Sequence, residues 1–145
     1  MKPNLSPTPK AHDAPVPAIV PVDVRKVWDD FKPRLQELCE SYDTGWRPED
    51  VYHLALLERV AVYHDPGSPG NYAVMRLRDD YGVTVLFIWI VIGQGDVIGR
   101  YQDELARIAR EAGARRIVFE SPRKGFFRLE GWKPYMTIFH RDTEA

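Results

Sequence analysis

The chain has 145 residues, of which 44% are hydrophobic and 28% are charged, so its length and composition suit one globular domain and not two. The formal net charge of −1 excludes nucleic-acid binding driven by overall charge. The single cysteine, Cys39, excludes an internal disulfide and a cysteine-cluster zinc site.

Nothing in the chain resembles a signal peptide or a membrane span. The N-terminal residues lack the apolar stretch of a secretory signal, and the longest apolar run, Val83–Ile92, covers about half a span, which indicates a buried strand. Charge is unevenly placed, with eight acids and three bases between Asp29 and Glu58, and nine bases and five acids between Arg100 and Lys133. The second half could bind phosphates or an acidic partner, or the two regions could simply be solvated faces.

An N-terminal tail is predicted from its proline content. Six prolines fall within the first 21 residues: Pro3, Pro7, Pro9, Pro15, Pro17 and Pro21. This spacing blocks helix and sheet and favours an extended, polyproline-like chain. We therefore expect an extended tail over residues 1–21, suited to docking on a partner, and a folded domain over residues 22–145.

Two helices are predicted after the tail. The apolar stripe of the first consists of Val27, Trp28, Phe31, Leu35, Leu38, Cys39 and Tyr42. Asp23 is a suitable N-cap, and Pro33 should kink this helix or mark the start of a second piece. The second helix should begin at Pro48, because proline suits a first helical turn.

Antiparallel strands and one parallel crossover are predicted next. Val60–Tyr63 and Tyr72–Arg78 have strand patterns and are separated by a Gly- and Pro-rich turn, and Asp79–Gly82 should be a hairpin turn. Val83–Ile92 should be the central strand.

A glycine loop follows that strand and leads to an amphipathic helix. The apolar stripe of the helix is Tyr101, Leu105, Ile108, Ala109 and Ala112, and Gly113 should end it. A strand over Arg116–Ser121, a short helix, and a last strand or bent hairpin over Trp132–Arg141 complete the pattern. Since a helix that links two strands needs a parallel crossover, we expect an α/β domain whose sheet is mixed and mostly antiparallel, flanked by helices.

This order of elements from Arg25 to Arg141 resembles the GCN5-related N-acetyltransferase (GNAT) fold. The C-terminal part is also similar to small GNAT-like proteins of tailed bacteriophages, in which an Arg-x-Gly-aromatic turn precedes a short helix ending in Gly-aromatic-Lys-Pro. The matching residues here are Arg123, Gly125, Phe126, Gly131, Trp132, Lys133 and Pro134.

The resemblance implies acetyl-coenzyme A binding between the central strand and the next helix, where backbone N–H groups would hold the pyrophosphate. The residues that correspond to this site are Ile92, Gly93, Gln94, Gly95, Asp96, Val97, Gly99 and Arg100. Val97 stands where the family has glycine, and a β-branched residue resists the positive φ that such a turn can require. Asp96 also brings a negative charge towards the pyrophosphate.

The resemblance implies no catalytic residue for this chain. Many active members have a tyrosine four residues before the Gly of the Gly-aromatic pair, and Phe127 occupies that position here. Tyr135 could replace it only in an unusual geometry. Glu58 and Glu120 are the strand-associated carboxylates, and both are expected on exposed faces.

The histidines and the cysteine are not expected to take part in metal binding or catalysis. The four histidines have no metal-ligand spacing, and Cys39 falls on an apolar stripe. The histidines are His12, His53, His64 and His140. We therefore expect no metal site.

Two functions remain open. One is a virion component of a phage, a structural or interaction protein with a degenerate acetyl-CoA site. Such a protein would contact other phage structural proteins, with the tail as a candidate contact surface. The other is an active N-acetyltransferase that uses acetyl-CoA on an amine. In either case we expect no nucleic-acid or membrane partner, a location in the virion or the host cytoplasm, and a possible homo-oligomer.

Overall fold

A computed structural model describes residues 17–93, 97–120, 131–132 and 141–142. Its helices are α1 (Val24–Ser41), α2 (Pro48–Leu56), α3 (Val97–Arg100) and α4 (Gln102–Glu111), and its strands are β1 (Val20–Pro21), β2 (Ala61–His64), β3 (Tyr72–Asp80), β4 (Val83–Ile92) and β5 (Arg116–Phe119). The predicted short helix and last strand fall mainly outside the described residues. None of the helices in the described part of the chain is long and apolar enough to cross a membrane.

The five described strands form one mixed sheet in the order β1-β2-β3-β4-β5. The first four strands are antiparallel to their neighbours, whereas β5 lies parallel to β4. Helices α3 and α4 lie between β4 and β5 in the chain and provide the crossover that a parallel pair needs. The predicted mixed, mostly antiparallel sheet is therefore confirmed.

Each face of the sheet is covered by one helix pair. On one face, the apolar stripe of α1 and α2 packs against β2, β3 and β4, with the side chains of Phe31, Leu35 and Val51 fully buried. On the other face, Leu105 and Ile108 of α4 pack against β3 and β4. The helices thus fix both faces of β4, the strand that leads into the glycine loop.

Helix α1 begins as its sequence predicts but does not divide at Pro33. The carboxylate of Asp23 accepts a hydrogen bond of 3.0 Å from the backbone N–H of Arg25, which caps the helix. The helix then runs through Pro33 without a second start, so the prediction of a second piece at this proline is wrong. Pro33 is exposed, and the backbone carbonyl that loses its helical donor there can be hydrated, while burial of Phe31 and Leu35 holds the helix together.

The described end of the tail joins the sheet. Val20 and Pro21 of β1 pair with His64 and Tyr63 of β2, so the prediction that the prolines block sheet formation is wrong for this segment. A proline is tolerated there because β1 is an edge strand, where one side needs no N–H donor. Ile19 is buried in the core. The boundary at residue 21 stays a prediction, as does docking by residues 1–16, which lie outside the described residues.

The hairpin between β3 and β4 turns through two residues in left-handed conformation. Tyr81 has φ 54° and Gly82 has φ 88°, and positive φ at both central positions is the mark of a type I′ turn. Glycine suits this conformation, but tyrosine does not, and the Tyr81 side chain is 98% exposed. The turn therefore carries backbone strain that no burial offsets.

We expect Tyr81→Asn to raise the free energy of unfolding by about 0.5–1 kcal/mol, because asparagine tolerates positive φ and favours type I′ turns. Urea denaturation measures the change. The matched control is Tyr81→Phe, which removes only the hydroxyl and should leave stability unchanged. Equal stabilisation by both variants would contradict the role of backbone strain.

Candidate functional site

The candidate site lies where β4 leaves the sheet. Strand β5 pairs with β4 only from Val85 to Ile88, so β4 continues for Trp89–Ile92 beyond its last pair with β5. In the β3–β4 pairing, Val74 and Met75 lie opposite Ile90 and Ile88, so Trp89 is the extra residue of a β-bulge. An extended ligand could therefore lie along this part of β4 on the side where pairing with β5 has ended.

The predicted cofactor-binding residues lie around this end of β4. Ile92 is the last residue of β4 and pairs with Tyr72. Gly93 follows it, Val97 and Gly99 belong to α3, and Arg100 ends that helix. The structure thus brings together the two ends of the predicted turn. Gln94, Gly95 and Asp96 lie outside the described residues.

Val97 does not have the positive φ that was expected to make a valine unfavourable at this position. It is the first residue of α3, and among the described residues other than glycine only Glu58 and Tyr81 have positive φ. A β-branched residue is acceptable in a helix. The steric objection to Val97 is therefore wrong, because the helix already begins at this position.

Gly93 is required by close packing. A β-carbon placed on it would lie 2.7 Å from Asn71 Oδ1 and 2.7 Å from Val97 Cγ2, distances that real β-carbons do not tolerate. Gly93 is nevertheless exposed to solvent. The backbone there is thus open to a ligand on one side and packed without spare room on the other.

A buried polar network that the sequence did not reveal lies beneath this turn. The Tyr101 hydroxyl donates to Asp65 Oδ2 at 2.5 Å and accepts from Asn71 Nδ2 at 2.9 Å. Tyr101 connects α3 to α4, since its N–H bonds to the Val97 carbonyl and its own carbonyl accepts from Leu105 N–H. All three members of the network are more than nine-tenths buried.

Sequence patterns pointed to only part of this network. Tyr101 was assigned to the apolar stripe of a helix, and its ring does lie in the core. Asp65 before a Pro-Gly pair signals an Asx turn, and its Oδ1 does accept from Gly67 N–H at 2.8 Å. Nothing in the sequence shows that Asp65, Asn71 and Tyr101 meet, because the contact depends on the crossover.

Arg100 is the cation of the site. Its guanidinium lies 3.4 Å from Ser68 Oγ and 5.7 Å from the centre of the Tyr101 ring, and it forms no salt bridge with the described residues. Arg34 also lies near Ser68 in the fold, since it packs against Gly70. Its guanidinium, however, donates two hydrogen bonds of 3.1 Å to the Asp30 carboxylate. Arg100 is therefore the arginine whose charge is available to an anion here.

A second tyrosine, Tyr72, joins β3 to α1. Its hydroxyl donates to Asp30 Oδ2 at 2.7 Å. Burial and the Asp30 carboxylate raise the pKa of Tyr72, and burial followed by the Asp65 hydrogen bond raises the pKa of Tyr101. Both phenols therefore stay protonated where ordinary tyrosines begin to ionise.

Stability should consequently fall as the pH rises past about 10, the ordinary tyrosine pKa. The unfolded chain then releases protons that the folded chain still binds, so rising pH stabilises the unfolded state relative to the folded state. Urea denaturation at pH 9 and 11 measures the loss. Tyr72→Phe removes one of the two phenols, so this variant should lose less stability over that range than the wild type. Parallel losses in the two proteins would contradict the assignment.

The structure describes three residues that the sequence offered as candidates for chemistry: Glu58, Glu120 and Cys39. Glu58 and Glu120 are exposed, and Cys39 is half-buried with its thiol 3.2 Å from the Trp46 carbonyl oxygen. In the described part of the chain, no group of three or more His, Cys, Asp or Glu side chains could hold a metal ion. His12, His140, Phe127 and Tyr135 lie outside the described residues.

Trp132 lies against the crossover. Its indole N–H donates to Gln102 Oε1 at 2.9 Å, and its ring meets Phe119 edge to face at 5.1 Å between centres. This tryptophan therefore connects the start of α4 with the end of β5, next to the point where β4 and β5 cease to pair.

Comparison with known proteins identifies the fold. No protein-family model matches the sequence, and no curated protein matches it either. A solved structure named "Putative acetyl transferase from Pyrococcus furiosus" is similar, with a TM-score of 0.62 and 15% identity over 86% of this chain and 99% of that one. A ribosomal-protein-alanine N-acetyltransferase from Brucella melitensis biovar Abortus 2308 has a TM-score of 0.54 and 17% identity over 83% of this chain and 98% of that one. The chain therefore has the GNAT fold.

Proposed function

We propose that this protein binds acetyl-CoA at the end of β4 and transfers the acetyl group to an amine. The observation that carries the proposal is the junction of β4 and α3. At this junction, Gly93 has no room for a β-carbon on its packed side. Its other side is exposed to solvent, so the backbone there is open to a ligand. The fold similarity to acetyltransferases over most of the chain supports the same conclusion.

The described residues fit the parts of acetyl-CoA. Arg100, which has no acidic partner among the described residues, would bind phosphate oxygens. Ser68, at 3.4 Å from Arg100, offers a hydroxyl beside it. Trp89–Ile92, beyond the last pair with β5, would hold the extended pantetheine through backbone groups. When bound, acetyl-CoA supplies an acyl thioester that an amine can attack.

Proton transfer is not assigned to the buried polar groups near the site. Asp65 accepts hydrogen bonds from both Tyr101 and Gly67, so it is already satisfied. The raised pKa of Tyr101 keeps that phenol protonated, and its O–H already donates a hydrogen bond to Asp65. Both groups therefore serve to hold the backbone around the turn.

Calorimetric titration with acetyl-CoA tests the proposal. We expect a micromolar Kd, and release of free CoA thiol in the presence of an acceptor amine. The alternative, a virion component with a degenerate site, predicts no heat of binding at millimolar acetyl-CoA. Binding without thiol release across a panel of primary amines would retain the cofactor site and overturn the transfer reaction.

A further inference from the structure

The loop between β2 and β3, residues 65–71, is ordered by its own hydrogen bonds. Ser68 N–H donates to the Asp65 carbonyl at 3.1 Å, and Asn71 N–H donates to the Ser68 carbonyl at 3.2 Å. The Asp65 carboxylate also accepts from Gly67 N–H at 2.8 Å. The loop is therefore a fixed platform for whatever packs against it.

This loop contacts both ends of the turn that connects β4 to α3. At the first end, the Asn71 side chain lies against Gly93, since a β-carbon on Gly93 would lie 2.7 Å from Asn71 Oδ1. At the second end, Asp65 and Asn71 hold the Tyr101 hydroxyl, and Ser68 meets Arg100. One loop thus sets the distance between the strand end and the helix start.

Asn71 is the side chain common to both contacts. It is 8% exposed, its Nδ2 donates to Tyr101, and its Oδ1 accepts no hydrogen bond from the described residues. Asn71 therefore joins Gly93, at the end of β4, to Tyr101, at the start of α4.

We propose that Asn71 and Tyr101 are positioning residues, which hold Gly93 and Val97 at the separation needed to bind the phosphates of acetyl-CoA. The role rests on the proposed function. It differs from general stabilisation because it acts on the phosphate end of the ligand and leaves the β4 edge, which would hold the pantetheine, unchanged.

Binding of two ligands to Asn71→Ala separates a loss of phosphate positioning from a general loss of stability. We expect the variant to bind acetyl-CoA at least about tenfold more weakly, because small displacements of a binding group have large effects. Its affinity for S-acetylpantetheine, which lacks the phosphates, should stay within about twofold of the wild type, since no group that contacts that part has moved. Tyr63→Phe, a half-buried tyrosine outside the network, is the control. Equal losses for both ligands would overturn the proposal.

Hydrogen exchange gives a measurement that needs no ligand. In Asn71→Ala, amide exchange should accelerate at Gly93 and Val97–Tyr101 and stay unchanged at the paired residues Val62 and Val74. Tyr101→Phe should give the same local pattern if Asn71→Ala does not fold. Unchanged exchange at Gly93 and Val97 in the variants would overturn the positioning role. Faster exchange there in the variants, together with a wild type that binds no acetyl-CoA, would overturn the proposed function and leave the structural role of Asn71 and Tyr101 at the turn.

Discussion

Replacing Gly93 with valine is expected to weaken acetyl-CoA binding by at least about tenfold, because the turn must move to accommodate the side chain. The first added carbon would meet Asn71 Oδ1 and Val97 Cγ2, each at 2.7 Å. Moving either neighbour disturbs existing contacts, since Asn71 is buried and bonded to Tyr101 and Val97 packs against the core. The collision therefore displaces the start of α3 from the end of β4.

The same substitution should lower the free energy of unfolding by about 1–3 kcal/mol, the usual effect of overpacking. Calorimetric titration and urea denaturation measure the two effects on one preparation. Gly67→Ala is a matched glycine control in the neighbouring loop, where the nearest atom to the added carbon is 3.3 Å away, and its effects should be smaller.

A compensating variant tests the cause. Gly93→Ala meets the same two neighbours, and adding Val97→Ala removes one of them. We expect the double variant to recover part of the affinity that Gly93→Ala loses. If Val97→Ala instead adds a further loss of the same size as it causes alone, the contact between these two residues does not explain the effect.

Tyr101→Phe is expected to lower the free energy of unfolding by about 1–3 kcal/mol, because it leaves buried polar groups without their partner. Asp65 would lose the hydrogen bond of 2.5 Å from the phenol, and Asn71 Nδ2 would lose its acceptor. Water cannot easily replace the hydroxyl, because the side chains around it are buried. Thermal and urea denaturation give the size of the loss.

Tyr63→Phe is the control for this prediction and should change stability by less than about 0.5 kcal/mol, since the Tyr63 hydroxyl has no hydrogen-bond partner among the described residues. A double-mutant cycle with Asp65→Asn should show non-additive effects, because the two side chains share one hydrogen bond. Additive losses would mean that the Tyr101 hydroxyl and the Asp65 carboxylate contribute to stability independently of each other.

The sequence predicted most of the fold because local signals and the global arrangement agree. The apolar run Val83–Ile92 specified β4, an internal strand between β3 and β5, and the helical period from Tyr101 to Ala112 specified a crossover helix. Gly113 ends that helix with φ 79°, as a glycine at a helix C-terminus should. An error arose where strand pairing outweighed a local preference, at Pro21 in the edge strand β1. At Pro33 the helix continues, which excludes a second piece and leaves the alternative of a kink as a prediction.

The candidate site was predictable only as a segment of chain. The glycine loop after β4 could be located from its composition, but the assessment of Val97 was wrong because a residue in a helix has no need of positive φ. The contact between the polar side chains beneath the loop was missed. Asp65, Asn71 and Tyr101 are 6 to 36 positions apart in the chain, so no local pattern shows that they meet.

The sequence by itself determined the order of helices and strands, the mixed sheet and the place of the glycine loop, because hydrophobic period and turn chemistry act between neighbours in the chain. Only the tertiary structure decided that Gly93 packs against Asn71, that Tyr101 bridges to Asp65, and that Ile19 joins the core. These contacts form when the sheet and the crossover bring distant segments together, so no local pattern encodes them.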